Sequence, residues 1–401
     1  MEMYSSSHNE YSFSYNCAQL SYLLLHWYCG ILYIDRNVRN REAIMSQEHD
    51  WQYDLDEYIH QGEPDRSEKS AAWQTAIGLQ DVDGLQTSDY LLETAKEHIE
   101  GKIDIATAQK RIYSYYEQRD TRMTVEEDTK EADIVAARIA ELLAEKTFQF
   151  SPAELQSIHR RLFTDVFKSA GQFRTYNISK KEWVLNGKSV FYAGFDSIRD
   201  TLDYDFGQEK VFSYAKLNVA QAIKHIANFI SGIWQIHPFC EGNTRTTAVF
   251  MIKYLQTFGF NVSNQVFAEN SWYFRNALVR ANFNDLQNDV HNTTVFLEQF
   301  MENLLTGAHH DLKNRYMHID YSETAQSANP EISKCKNCTL EELAILREIS
   351  NNPSITQKAL AEAIGKSERT VKSRTVDLQD RGLLRRKNGK RNGQWEVLVE
   401  V

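Results

Sequence analysis

The chain has 401 residues, long enough for two or three domains with cores of their own. Its 42% hydrophobic and 25% charged content is ordinary for a globular protein, and only five prolines and 17 glycines point to few long loops and a mainly α fold. A net charge of −10 argues against nucleic acid wrapped along the whole length and leaves room for a local basic patch.

Leu20 to Ile34 is apolar and aromatic, but His26 interrupts it and it is too short to span a membrane. No Lys or Arg precedes it, so the positive region of a signal peptide is missing. Residues 1–44 are therefore expected to be an extension ahead of a start at Met45, with no function and no membrane anchor. Cys17, Cys29, Cys240, Cys335 and Cys338 make no disulfide framework, which fits a cytoplasmic protein. The one CxxC, Cys335 to Cys338, has no second pair of ligands at zinc-site spacing.

Residues 45–118 read as a helical segment, with stretches at 67–80 and 87–118 around the turn Asp81-Val82-Asp83-Gly84. Residues 119–308 read as the main domain. Ser151-Pro152-Ala153-Glu154 starts a helix with a cap, a first-turn proline and an acid at the third position. The pattern then changes: 181–185 and 189–192, joined by Asn186-Gly187, predict a β-hairpin, an exposed flap in an otherwise helical domain. Long helices follow at 213–235 and 244–258, the second apolar nearly all round and so central to a core, and further helices at 271–284 and 292–305 close the domain. Residues 309–337 read as a polar linker. Residues 338–401 carry three helical stretches (339–350, 356–363, 367–380) and two short strands around a basic turn, the pattern of a winged helix-turn-helix.

The chemistry gathers in the loop His237-Pro238-Phe239-Cys240-Glu241-Gly242-Asn243-Thr244-Arg245, at the start of the central helix. Gly242 lets backbone N–H groups approach a phosphate at a helix N-terminus. Asn243 offers an amide, and Arg245 a bidentate guanidinium, to phosphate oxygens. Glu241 is a hard oxygen ligand suited to Mg²⁺. His237 has the intrinsic pKa to take a proton from an attacking hydroxyl. Base, metal ligand, anion cradle and charge clamp within nine residues are what transfer to a hydroxyl requires.

This stretch resembles the signature of the Fic (Fido-domain) family, His-x-Phe-x-(Asp/Glu)-Gly-Asn-Gly-Arg-x-x-Arg. Residues 158–167 and Ala170-Gly171-Gln172-Phe173-Arg174 look like the family's upstream helix and turn. The resemblance implies transfer of AMP from ATP, with Mg²⁺, to a Tyr, Ser or Thr hydroxyl of a target protein or of the chain itself. In that role His237 is the base, Glu241 holds magnesium, and Gly242, Asn243, Thr244 and Arg245 bind the nucleotide. It further implies that Trp183, Val184 and Leu185 of the flap dock a target segment by strand addition. A homodimer is compatible with the family.

Two positions depart from the signature. Thr244 replaces the usual glycine and is expected to add a side chain beside the phosphate path, as in relatives that bind nucleotide the other way round and phosphorylate. Ala248 replaces the second arginine, a γ-phosphate contact. Residues 69–105 resemble the small antitoxins that partner Fic toxins, whose inhibitory glutamate pairs with that second arginine. The matching position is Asp83, with Leu79 in place of the motif's Ser/Thr, so glutamate-type inhibition is expected to be weak or lost.

Between Gly365 and Arg391 ten Lys and Arg stand against Glu368, Asp377 and Asp380. Arg369, Lys372 and Arg374 on the recognition helix, with Arg386 and Lys387 on the wing, are candidate DNA contacts. Two alternatives to AMP transfer stay open: a DNA-binding regulator with a nucleotide-sensing Fic core, and a Fic-type phosphotransferase.

Overall fold

The computed structural model describes residues 55, 64–117, 125–260, 265–321, 338–387 and 393–399. All of them fall within one compact unit, Leu55–Val401. The readings made for residues 1–44, for Cys335 and for the turn at 388–392 lie outside the described residues.

Helix α1 (Pro64–Gly78) runs into a 3-10 turn over Leu79–Asp83, which Gly84 ends at φ 72°. The stretch expected as 87–118 is two helices, α2 (Asp89–Ile99) and α3 (Ile105–Glu117), broken at Gly101 with φ 77°. Helix α4 (Val125–Ala144) ties this pair down through buried Asp133, which accepts from Ser88 N (2.8 Å) and Tyr116 Oη (2.7 Å). Both donors leave water together with the carboxylate, so the burial costs little unmatched polarity.

Helix α5 (Pro152–Phe163) starts as its cap predicts: Ser151 Oγ accepts from Glu154 N at 3.1 Å. Helix α6 (Ile198–Val211) was not anticipated. Its inward residues Ile198, Leu202 and Phe206 are interleaved with acids, which masks the apolar stripe. Helix α7 (Val219–Ile236) begins six residues later than the periodicity from 213 suggested, because Asn218 and Gln221 close a capping box there. Its face of Ile223, Ile226, Ile230 and Ile233 is fully buried, and each such side chain contributes about 2 kcal/mol. Helix α8 (Asn243–Gln256) is buried from Asn243 through Leu255 and is the central helix of the core. Helix α9 (Gln265–Ala281), kinked at Asn270, packs on α1 so closely that a Cβ at Gly78 would collide with the Ala268 backbone. Helix α10 (Val295–Thr306) completes this core.

The expected hairpin at 181–192 is a correction. Glu182 N does donate to Lys188 O (3.0 Å), and Asn186 and Gly187 do adopt left-handed φ of 52° and 79°. Trp183–Leu185, however, forms a 3-10 turn, and no strand ladder joins the two arms. A strand would send Val184 and Leu185 to opposite faces; the 3-10 turn buries both. Residues 309–321, expected as linker, are packed as well. Asn314–Met317 is a 3-10 turn, Met317 is buried, and Asn276 Nδ2 donates to Asn314 Oδ1 at 2.8 Å.

The C-terminal module follows its prediction within a residue or two. Helices α11 (Leu340–Asn351), α12 (Gln357–Ala363) and α13 (Glu368–Asp380) precede the antiparallel pair β1 (Leu384–Lys387) and β2 (Gln394–Val397), with Arg386 opposite Trp395. The module also rests on the core. Arg347 Nη1 donates to Leu305 O (2.9 Å), Val219 N to Cys338 O (3.1 Å), and Gly259 is pressed against Ile364. Cys338 is buried and disulfide-bonded. Among the described residues no helix is long and apolar enough to cross a membrane.

Candidate active site

His237 is the residue that ends α7, in left-handed conformation (φ 50°, ψ 59°), an uncommon posture for a non-glycine residue. Its Nδ1 lies 3.2 Å from Trp234 O. A carbonyl can only accept, so Nδ1 carries the proton and Nε2 holds the lone pair. That Nε2 is buried and has no hydrogen-bond partner. Burial, then the charge of Lys180, pushes the pKa well below the usual histidine value, against the smaller opposing effect of the Trp234 carbonyl. The ring is a neutral base, and Tyr192 covers it at a centroid distance of 4.4 Å.

Around the loop the side chains diverge. Glu241 points outward, 64% exposed, with Lys180 Nζ 3.3 Å from its Oε2. Gly242, at φ 69°, heads α8 and lies where a Cβ would collide with the Phe163 ring. Asn243 was expected to offer its amide to phosphate. Instead its Oδ1 accepts from Phe239 N (3.0 Å) and its Nδ2 donates to Phe239 O (2.8 Å), so it braces the loop from within. Thr244 was expected beside the phosphate path. It is buried, and its Oγ1 accepts from Trp234 Nε1 at 3.0 Å.

Arg245 departs furthest from its expected place. It is buried and bound to side chains of the N-terminal segment and α4. Nε lies 2.8 Å from Asp83 Oδ2, a charge contact off the line of a hydrogen bond. Nη1 donates to Gln80 Oε1 at 3.1 Å, Nη2 to Glu131 Oε1 at 2.6 Å, and the guanidinium sits 4.9 Å over the Phe163 ring. Asp83 therefore meets the first arginine of the motif, while Ala248 is buried in the core.

Two supporting residues lie in the upstream helix and turn, where the sequence reading gave them no role. His159 Nδ1 accepts from Gly171 N (2.8 Å), which leaves Nε2 to donate to Glu241 O (3.0 Å). Burial drops its pKa to about 4, so this neutral tautomer holds at ordinary pH. Arg174 Nε donates to His237 O (2.8 Å) and Nη1 to Tyr176 O (2.8 Å), with Nη2 reaching Ile236 O (3.2 Å) and Ala193 O. One guanidinium thus clamps the His237 backbone to both ends of the 176–193 segment. Their buried, polar character inside a helix-and-turn pattern was the available signal.

Of the docking candidates, Trp183 is half-exposed, whereas Val184 and Leu185 have no exposed surface to offer a partner. In the C-terminal module Arg369 and Lys372 are exposed on α13. Arg374 is partly exposed, and its Nε donates to Glu341 Oε2 at 2.9 Å. Arg386 lies over the Trp395 ring at 4.7 Å, and Lys387 pairs with Glu396.

Residues 149–255 match the family model for the Fic/DOC family, and residues 342–385 match that for a winged helix-turn-helix DNA-binding module. The chain carries a Fic/DOC domain. The Fic/DOC match runs from the strand-like approach to α5 through α8, and so contains the loop, His159, Arg174 and the 181–192 segment. A crystal structure of a Fic family protein from Desulfovibrio desulfuricans G20 is also similar, at 13% identity and a TM-score of 0.41, over 87% of this chain and 96% of that one. Fic-domain proteins are in general transferases that use a nucleotide, and the second match supports DNA binding.

Proposed function

We propose that the chain is a magnesium-dependent protein adenylyltransferase that moves AMP from ATP to a Tyr, Ser or Thr hydroxyl of a protein. The observation that carries this reading is the tautomer of His237: Nδ1–H is committed to Trp234 O, and Nε2 is an unpartnered acceptor. In the proposed step Nε2 takes the acceptor hydroxyl's proton, the oxygen bonds to the α-phosphorus, and the bond to pyrophosphate breaks.

Glu241 fits magnesium as a single exposed carboxylate at the head of α8. Among the described residues no three His, Cys, Asp or Glu cluster as a metal site, so Glu241 would share the ion with nucleotide phosphates and water, the usual arrangement for Mg²⁺. Magnesium bound there would neutralise phosphate charge. The N-terminus of α8 and Gly242 would cradle the phosphates, while His159 and Arg174 hold the loop backbone in register.

A second reading, a DNA-binding regulator whose core senses nucleotide with little turnover, draws on Arg245, whose guanidinium is already held by Gln80, Asp83 and Glu131. Phosphotransfer loses its main ground, because Thr244 is turned toward Trp234. Incubation with magnesium and ATP labelled at the α or the γ position, comparing the wild type with His237→Ala, tests the reading. We expect protein label from the α position only, abolished in the variant. Label from γ alone would mean phosphorylation, and none from either would favour the sensor.

A further inference from the structure

The segment that follows α10 lies on the 181–192 loop at three consecutive points. Ile319 N donates to Val184 O at 2.9 Å, a backbone-to-backbone bond. Asn186 Nδ2 donates to Asp320 Oδ2 at 2.9 Å. The His318 ring meets the edge of Trp183 with centroids 5.0 Å apart. Upstream, the same segment is pinned by Met317, which is buried, and by the Asn276–Asn314 bond. His318 is extended (φ −66°, ψ 130°), the geometry of a chain laid along a surface rather than folded on itself.

We infer that residues 318–320 are an intramolecular occupant of a polypeptide-docking surface formed by Trp183, Val184 and Asn186, and that an acceptor protein must displace this strap to dock there. The inference rests on the reading of the 181–192 loop as the docking element of a transferase. Val184 and Leu185 are buried, so what the loop can offer a partner is the Val184 carbonyl, the Asn186 amide and the Trp183 ring. The strap takes all three. A carbonyl and an amide recognise extended backbone and a nearby carboxylate with little demand on sequence. The partner class that fits is an extended segment with an acidic residue one place after the bonded N–H, as Asp320 follows Ile319 in the strap. Tethering gives the strap an effective concentration of roughly millimolar, so a free segment competes poorly until the strap lifts.

The test needs neither nucleotide nor turnover, so it fails or succeeds independently of the transferase reading. A fluorescein-labelled peptide copying residues 312–321 is titrated into the full chain and followed by anisotropy. The proteins are the wild type and the double variant Ile319→Pro/Asp320→Ala. Proline removes the bonded N–H, and the extended His318 before it tolerates the change. A second variant, Asn186→Gly, weakens the contact from the loop side and keeps the left-handed conformation available. Hydrogen exchange of 181–192 is measured alongside, and far-UV circular dichroism confirms folding. The strap variant is expected to bind the peptide at least tenfold tighter than the wild type and to exchange faster at 181–192 alone. Asn186→Gly is expected to speed exchange there and to bind the peptide more weakly than the strap variant does. Equal peptide binding by wild type and strap variant would overturn the inference, as would unchanged exchange at 181–192. Faster exchange without peptide binding would also overturn it, making the strap simple packing.

Discussion

Asp83 Oδ2 and Arg245 Nε lie 2.8 Å apart, linking the turn after α1 to the first turn of α8. Glu131 of α4 holds the same guanidinium from its far end at 2.6 Å, and Gln80 completes the set. The motif's arginine is thereby bound by the N-terminal segment, although the arginine that usually answers an inhibitory acid is absent at Ala248. If Arg245 serves the phosphates, freeing it should strengthen nucleotide binding. In Asp83→Ala/Glu131→Gln the KM for ATP is expected to fall several-fold, with a loss of thermal stability because a buried cation loses its partners. Initial-rate kinetics and a melting curve check both. A lowered melting temperature with unchanged KM would show that Arg245 is a structural strut.

The titration of His237 sets the pH dependence. Burial first, and Lys180 next, lower its pKa well below the usual value, so the imidazole is a neutral base across the physiological range. Transfer should therefore stay level as pH falls through about 6.5, the ordinary histidine value, and decline only well below it. Lys180→Ala removes one source of depression and should move the acid limb upward. The pH profile of kcat/KM for both proteins decides; a wild-type midpoint near 6.5 would contradict the buried-base reading.

Gly242 carries both a left-handed φ of 69° and a close approach, since an added Cβ would run into the Phe163 ring. Gly242→Ala should cost about 1–3 kcal/mol through the forced shift of a packed aromatic ring and the unfavourable φ. Phe163→Leu in the same chain should recover part of that loss, because the smaller side chain leaves room for the methyl. Denaturant unfolding of the two single variants and the double variant measures the coupling.

How far the site could be read in advance follows from helix geometry. The loop stood out because base, carboxylate, glycine and arginine are adjacent in sequence. But α8 begins at Asn243, and successive helical residues point about 100° apart. Asn243, Thr244 and Arg245 therefore send their side chains in different directions, to Phe239, Trp234 and Asp83. The central helix was legible from its all-round apolarity. Helix α6 was not, because acids are interleaved with Ile198, Leu202 and Phe206. Asn186-Gly187 correctly marked a turn, yet local turn chemistry cannot tell a strand from a 3-10 turn when tertiary burial claims both Val184 and Leu185.

The basic residues of the C-terminal module separate into two classes. Arg369 and Lys372 are exposed on α13, whereas Arg374 is spent on Glu341 of α11 at 2.9 Å. An arginine bound to a carboxylate of its own module has its charge matched and its donors oriented inward. Arg369→Ala and Lys372→Ala should each weaken duplex DNA binding and reduce the salt slope by about 1, with little change in melting temperature. Arg374→Ala should leave the salt slope unaltered and lower the melting temperature by loosening α13 from α11. Anisotropy of the full chain on a labelled duplex at several salt concentrations, with a melt of each variant, makes the comparison. An equal loss of DNA affinity in all three would mean that Arg374 leaves Glu341 to reach a phosphate, and that the pairing between these helices yields to DNA.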